Sequence, residues 1–212
     1  MDVKLKICGM KLPDNIQAVA ALEPDYLGFI FFRDSKRFVD GLTPSFVKDL
    51  PPGIRRTGVF VNEELNKVAE LAMLYGLNAV QLHGQEPAKY CIALKGLLAD
   101  AGIELIKAFG VDEHFDFSTL NAYSNIADYF LFDTQTPDHG GSGRTFNWAL
   151  LENYKLNKPY FLSGGIGPDS IEQLKQINDP RLYAIDLNSR FELAPGLKDT
   201  ERLKDFKNKL AL

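Results

Sequence analysis

Eight short apolar runs recur along the 212 residues, and each is followed by a segment with helical spacing. The runs are VKLKIC (3–8), YLGFIF (26–31), RTGVFV (56–61), AVQLH (79–83), ELIKAF (104–109), DYFLFD (128–133), PYFLS (159–163) and LYAIDL (182–187). All are short, and most are rich in the β-branched and aromatic residues that suit strands. The intervening segments, such as LPDNIQAVAALE, NEELNKVAELAMLYG and EPAKYCIALKGLLADAG, repeat their apolar positions with the period of a helix. Start signals stand at Asp14 after Pro13, Thr43 before Pro44, Asn62 ahead of Glu63 and Glu64, and Pro168-Asp169, while Gly76 and Gly102 close two of the helices.

Strand-then-helix units repeated in this way, without a long linker or charge block, predict an α/β fold. The expected form is one (β/α)8 barrel domain of parallel strands over residues 1–212. An open doubly wound sheet is the alternative. It would carry a Gly-x-Gly-x-x-Gly turn after the first strand, where this chain has CGMKLPD.

Composition narrows the function classes. The 45% apolar and 25% charged content is that of an ordinary globular protein. A net charge of -4 argues against a nucleic-acid partner, so any anionic substrate must be drawn by local charge. The first ten residues, MDVKLKICGM, lack the form of a signal peptide, and no apolar run reaches the ~18 residues of a membrane span. The chain therefore reads as cytoplasmic, with no membrane partner. Cys8 and Cys91 make no disulfide framework, and His83, His114 and His139 show no metal-ligand spacing, so no metal is expected. A monomer and a homodimer are both compatible with the sequence.

Strand alternation sorts the polar residues. In the first strand Val3, Leu5 and Ile7 share one face and Lys4, Lys6 and Cys8 the other. If the first set faces the helices, Lys6 and Cys8 point to the barrel axis. By the same phase Gln81 and His83 share a face, Asp133 follows Leu131, and Asp186 follows Ala184. Polar groups thus gather toward the C-terminal ends of the strands, as a satisfied structural network or as a working site. Because the first and eighth strands adjoin in a closed barrel, Lys6 and Asp186 are expected to pair. His83 either lines the site or satisfies a buried partner. Cys91, within a helical pattern, reads as packing.

Two loops suit a phosphate. FLSGGIGPDS places Gly164, Gly165 and Gly167 before a helix start at Pro168, and DLNSRFE offers Asn188 and Ser189 as further donors. The longest loop, DTQTPDHGGSGRTFNW, contains Gly140, Gly141 and Gly143 and reads as a cover over the site or as a plain surface loop.

The motifs KICGM, FRDSKRFV, GVFVN, VQLHG, FLFDT, GGSGRTFNW, FLSGGI and IDLNSRFE followed by PGLKD occur in an order that resembles the phosphoribosylanthranilate isomerase family of tryptophan biosynthesis, from about Lys6 to Asp199. The resemblance implies an Amadori rearrangement of a small sugar phosphate, N-(5-phosphoribosyl)anthranilate, without a cofactor, since the substrate's own nitrogen is the electron sink. It also implies Asp133 as general acid, Cys8 as general base and Arg37 as the cation that grips the anthranilate. His83 and Asp186 are expected among the substrate-facing groups. The chain departs from the family pattern at Arg190, where a glycine is usual, at Ser163 in place of a frequent alanine, and at Asn147 in place of a frequent aspartate.

The chemistry asks Asp133 to rise from a free carboxyl near ~3.9. It asks Cys8 to fall from a free thiol near ~8.5, with Lys6 as the natural cause. Two rivals are a barrel that closes an indole ring, for which Lys107 alone supplies too few catalytic groups, and a phosphate-binding module without catalysis, against which Cys8 and Asp133 speak.

Overall fold

The computed structural model describes residues 3–135 and 146–210. Eight parallel strands close into a barrel in chain order: β1 (Lys4–Ile7), β2 (Tyr26–Ile30), β3 (Arg55–Phe60), β4 (Ala79–Leu82), β5 (Glu104–Val111), β6 (Tyr129–Thr134), β7 (Tyr160–Leu162) and β8 (Leu182–Leu187). β1 seals the ring against β8, with Lys6 opposite Asp186 and Ile7 opposite Leu187. The expectation of a closed α/β barrel holds, and the alternation of each strand explains why. Leu5 and Ile7, Leu27 and Phe29, Phe130 and Phe132, and Ile185 and Leu187 face outward into the apolar layer under the helices. Tyr26, Ile106, Leu131, Phe161 and Ala184 fill the lumen.

Around the barrel lie α1 (Pro13–Ala20), α2 (Pro44–Lys48), α3 (Leu65–Leu74), α4 (Ala88–Leu97), α5 (Ile171–Lys175) and α6 (Thr200–Leu210). Two of the segments with helical spacing form 3-10 turns instead, at Phe117–Tyr123 after β5 and Trp148–Asn153 after β6. Length does not separate the two forms, since α2 and α5 are shorter still and are α-helical. The caps of the two 3-10 turns are polar side chains: Asp116 accepts from Ser118 N, and Asn147 accepts from Ala149 N as an aspartate there would. The start of α3 is one correction, since Glu64 rather than Asn62 caps it, accepting from Asn66 N and Lys67 N. Among the described residues no helix is long and apolar enough to cross a membrane.

One element went unforeseen. After β8 the chain makes a small antiparallel hairpin of β9 (Glu192–Ala194) and β10 (Leu197–Lys198), where the sequence showed no alternation long enough to notice.

Candidate active site

The lumen changes character along the barrel axis. Below, it is apolar and aromatic; toward the C-terminal ends of the strands, Lys6, Gln81, Asp133 and Asp186 are buried together. Above them opens a cavity of about 670 Å³ whose walls include Cys8, Arg37, His83, Asp133, Gly164, Gly165, Asp186, Asn188 and Ser189. Residues from six loops and strand ends thus converge on one space, which is the rim that barrel enzymes use for catalysis.

The expected ion pair is present. Lys6 Nζ donates to Asp186 Oδ2 at 2.8 Å, with both side chains buried. Burial opposes the Lys6 charge, but Asp186 and Cys8 outweigh it and hold the ammonium above its ordinary pKa. Asp186 Oδ1, on the same carboxylate, has no hydrogen-bond partner among the described residues. An enclosed acceptor left in this state costs stability, and a substrate hydroxyl would relieve it.

Cys8 stands just past the end of β1, its backbone N donating to Leu187 O at 2.8 Å, so the barrel seam fixes its position. Burial pushes the thiol above its ordinary pKa; Lys6 pulls it down, Asp186 adds to the rise, and Lys198 pulls it down again. The expected lowering by Lys6 is therefore real as a contribution and wrong as a net direction, because removing a sulfur from water outweighs the neighbouring cations.

A second chain of contacts leads to Asp133. Gln81 Nε2 lies 2.8 Å from His83 Nδ1, and His83 Nε2 lies 3.2 Å from Asp133 Oδ2. If the amide donates, Nδ1 accepts and the ring proton sits on Nε2, facing the carboxylate. Asp133 Oδ1 accepts from Thr134 N at 2.7 Å. Both readings of His83 are met at once: it lines the cavity and has buried partners.

On the opposite wall Arg37, in the loop after β2, donates from Nε and Nη2 to Glu192 at 2.6–3.1 Å. Asn188 accepts from Lys198 Nζ at 2.7 Å through Oδ1, which fixes the side-chain amide at the cavity wall. Arg190 reaches across to Asp169 at 2.8 Å and ties the loop after β8 to that after β7.

A family profile described as N-(5'phosphoribosyl)anthranilate (PRA) isomerase matches residues 5–209. The N-(5'-phosphoribosyl)anthranilate isomerase of Parabacteroides distasonis is 44% identical over 206 residues, covering 95% of this chain and 90% of that one. The chain belongs to the PRA isomerase family. The crystal structure of phosphoribosyl anthranilate isomerase from Thermotoga maritima superposes with a TM-score of 0.81 at 35% identity, covering 99% of this chain and 100% of that one. A phosphoribosyl anthranilate isomerase crystallised with reduced 1-(o-carboxyphenylamino)-1-deoxyribulose 5-phosphate gives 0.77 at 32% identity, again over 99% and 100%.

Within this PRA isomerase fold, some residues that shape the site escaped the sequence reading. Gly28 on β2 is the clearest, because a Cβ there would lie 2.7 Å from the Cys8 sulfur. The available signal was an isolated glycine inside a strand, which marks close approach of another group. Gly9 is different, because its place directly after Cys8 already marks a turn away from the strand end: its φ of +78 is a backbone that side chains disfavour, and a Cβ on it would meet Arg37 Cδ and Asn188 Oδ1 at 2.7 Å. Glu192 and Lys198 were also missed, for want of the hairpin that carries them. The Gly140, Gly141 and Gly143 cover expected between β6 and the next helical segment lies outside the described residues, as does His139.

Proposed function

We propose that the chain works as one barrel domain that rearranges N-(5-phosphoribosyl)anthranilate to 1-(2-carboxyphenylamino)-1-deoxyribulose 5-phosphate, with Asp133 as general acid and Cys8 as general base. What supports this most directly is that the two groups, from strands on different sides of the ring, line a single cavity of about 670 Å³ that also includes the glycine-rich loop after β7.

The anthranilate nitrogen pushes its lone pair toward C1 while Asp133 gives a proton to the ring oxygen; the C1–O bond breaks and a protonated Schiff base forms. Cys8 then removes the C2 proton, and the C2–H electrons form the C1=C2 bond as the C=N pair returns to nitrogen. The resulting enolamine takes a proton at C1 and loses one from the C2 hydroxyl, giving the ketone. His83, 3.2 Å from Asp133, is placed to restore its proton.

A buried thiol is a poor base at rest, since burial pushes its pKa up. The Schiff base answers part of this difficulty: its protonated nitrogen, joined to C2 through C1, adds its positive charge to Lys6 and Lys198 in favouring the thiolate at the step that needs it. Arg37 takes the anthranilate carboxylate by paired hydrogen bonds. Asp186 Oδ1 accepts from a sugar hydroxyl. Gly164, Gly165, Asn188 and Ser189 receive the phosphate on amide groups. The phosphate end then lies between β7 and β8 and the aromatic end under the loop after β2.

Substrate fluorescence tests the assignment. Cys8→Ser should slow turnover by at least about 10²-fold, the low end of what a positioned base contributes, while binding of a reduced product analogue stays nearly unchanged. Wild-type turnover in that variant would refute the base assignment, and loss of binding would give Cys8 a structural role.

A further inference from the structure

The hairpin after β8 carries two charges, Glu192 and Lys198, and the chemistry above gives Glu192 no part and Lys198 only a distant pull on the Cys8 thiol. β9 and β10 set Lys198 opposite Glu192, and Lys198 Nζ donates to Glu192 Oε1 at 2.8 Å. Lys198 is buried, and its backbone is pinned from α1: Asn15 Nδ2 donates to Lys198 O at 2.9 Å and Lys198 N donates to Asn15 Oδ1 at 2.8 Å. Glu192 Oε1 also accepts from Arg37 Nε at 2.9 Å and Gly196 N at 3.0 Å, and Oε2 accepts from Arg37 Nη2 at 2.6 Å. Burial pushes the Glu192 carboxyl up, but Arg37 and Lys198 outweigh it and hold it below the usual range. Burial likewise pushes Lys198 down, against the pull of Glu192.

A guanidinium can take a carboxylate on either of two edges, Nε with Nη2 or Nη1 with Nη2. Glu192 occupies the first. The second is open, for Nη1 has no hydrogen-bond partner among the described residues and Arg37 lines the cavity. Glu192 alone would cancel the Arg37 charge and repel a second carboxylate. A protonated Lys198 beside it leaves the trio net positive.

We propose that Glu192 and Lys198 are positioning residues, Glu192 holding Arg37 so that its Nη1–Nη2 edge faces the substrate's carboxylate, and Lys198 bracing Glu192 while joining it to Asn188 on the phosphate side. The inference rests on the reading of Arg37 as the carboxylate grip. It makes the hairpin a brace that sets both ends of the cavity from one buried ammonium.

The test compares the binding of two reduced product analogues, one with the ring carboxylate and one without it, to the wild type, Arg37→Ala and Glu192→Gln. Glu192→Gln should weaken the carboxylate-bearing analogue about tenfold or more, the scale of a hydrogen bond to a charged group, and change the other less than about twofold. KM should rise more than kcat falls. Equal weakening of both analogues by Glu192→Gln, or no weakening of either, would overturn the inference. If Arg37→Ala itself fails to discriminate between the analogues, the underlying grip is what fails. Should Glu192→Gln not fold because Lys198 is left without a counter-charge, the neutral pair Glu192→Gln/Lys198→Met gives the same comparison without an uncompensated ammonium.

Discussion

Replacing Gly28 by alanine adds one methyl group on β2, at a backbone conformation that any residue adopts, so the substitution tests space alone. The new Cβ would stand 2.7 Å from the Cys8 sulfur, 3.1 Å from Cys8 Cα and 3.2 Å from Cys8 Cβ. Ordinary carbon contacts begin at about 3.5 Å. The sulfur must therefore retreat by close to ~1 Å, and rotation alone will not suffice, because the backbone of Cys8 is also too near. A misplacement of about 1 Å in a reacting group costs on the order of 10²-fold in rate, while overpacking costs about 1–3 kcal/mol of stability. Gly28→Ala should thus fold, bind the reduced product analogue with little change, and turn over roughly 100-fold more slowly. Chemical denaturation completes the test: in a Cys8→Ala background the nearest of the three contacts, the sulfur at 2.7 Å, is gone while Cα and Cβ remain, and the stability cost of Gly28→Ala should shrink without vanishing. Turnover within about twofold of wild type, which is near the noise of a neutral substitution, would refute the close-packing argument, as would an undiminished stability cost in the double variant.

Removing the charge of Asp186 by Asp186→Ala leaves the Lys6 ammonium buried without its partner and should cost about 3–5 kcal/mol by urea denaturation; a loss below about 1 kcal/mol would mean that Lys6 gives up its proton instead. The Glu192 carboxyl is held below its ordinary range, so its contribution to stability is fully present above the unfolded value of about 4.3 and is lost as pH falls through the folded one. Glu192→Gln should accordingly flatten the acid side of the stability profile, and an unchanged acid slope would contradict the clamp. Because burial pushes the Cys8 thiol up, the rising limb of kcat/KM against pH should lie above the usual thiol value of about 8.5. A limb centred at neutral pH would point to a different base.

Most of the barrel was legible because alternation is a local property. Strand phase sets Lys6 and Leu5 on opposite faces, the apolar set goes under the helices, and the closed order of eight strands then forces β1 against β8, which is why the Lys6–Asp186 pair was within reach of sequence reasoning. The helical segments were less certain. Phe117–Tyr123 and Trp148–Asn153 have apolar spacing that serves a 3-10 turn as well as an α-helix, so the spacing by itself does not separate the two.

By itself the sequence determined the eightfold strand–helix alternation, which residues share a strand face, and that polar side chains stand near the C-terminal ends of the strands. Only the tertiary structure decided which of those residues touch. Gln81, His83 and Asp133 meet across strands that are not adjacent, Arg37 is held by Glu192 155 positions away, and Gly28 matters for a sulfur on the neighbouring strand. It also reversed the expected direction for the Cys8 thiol, because desolvation depends on everything that encloses the sulfur, whereas the sequence displays only the neighbours along the chain.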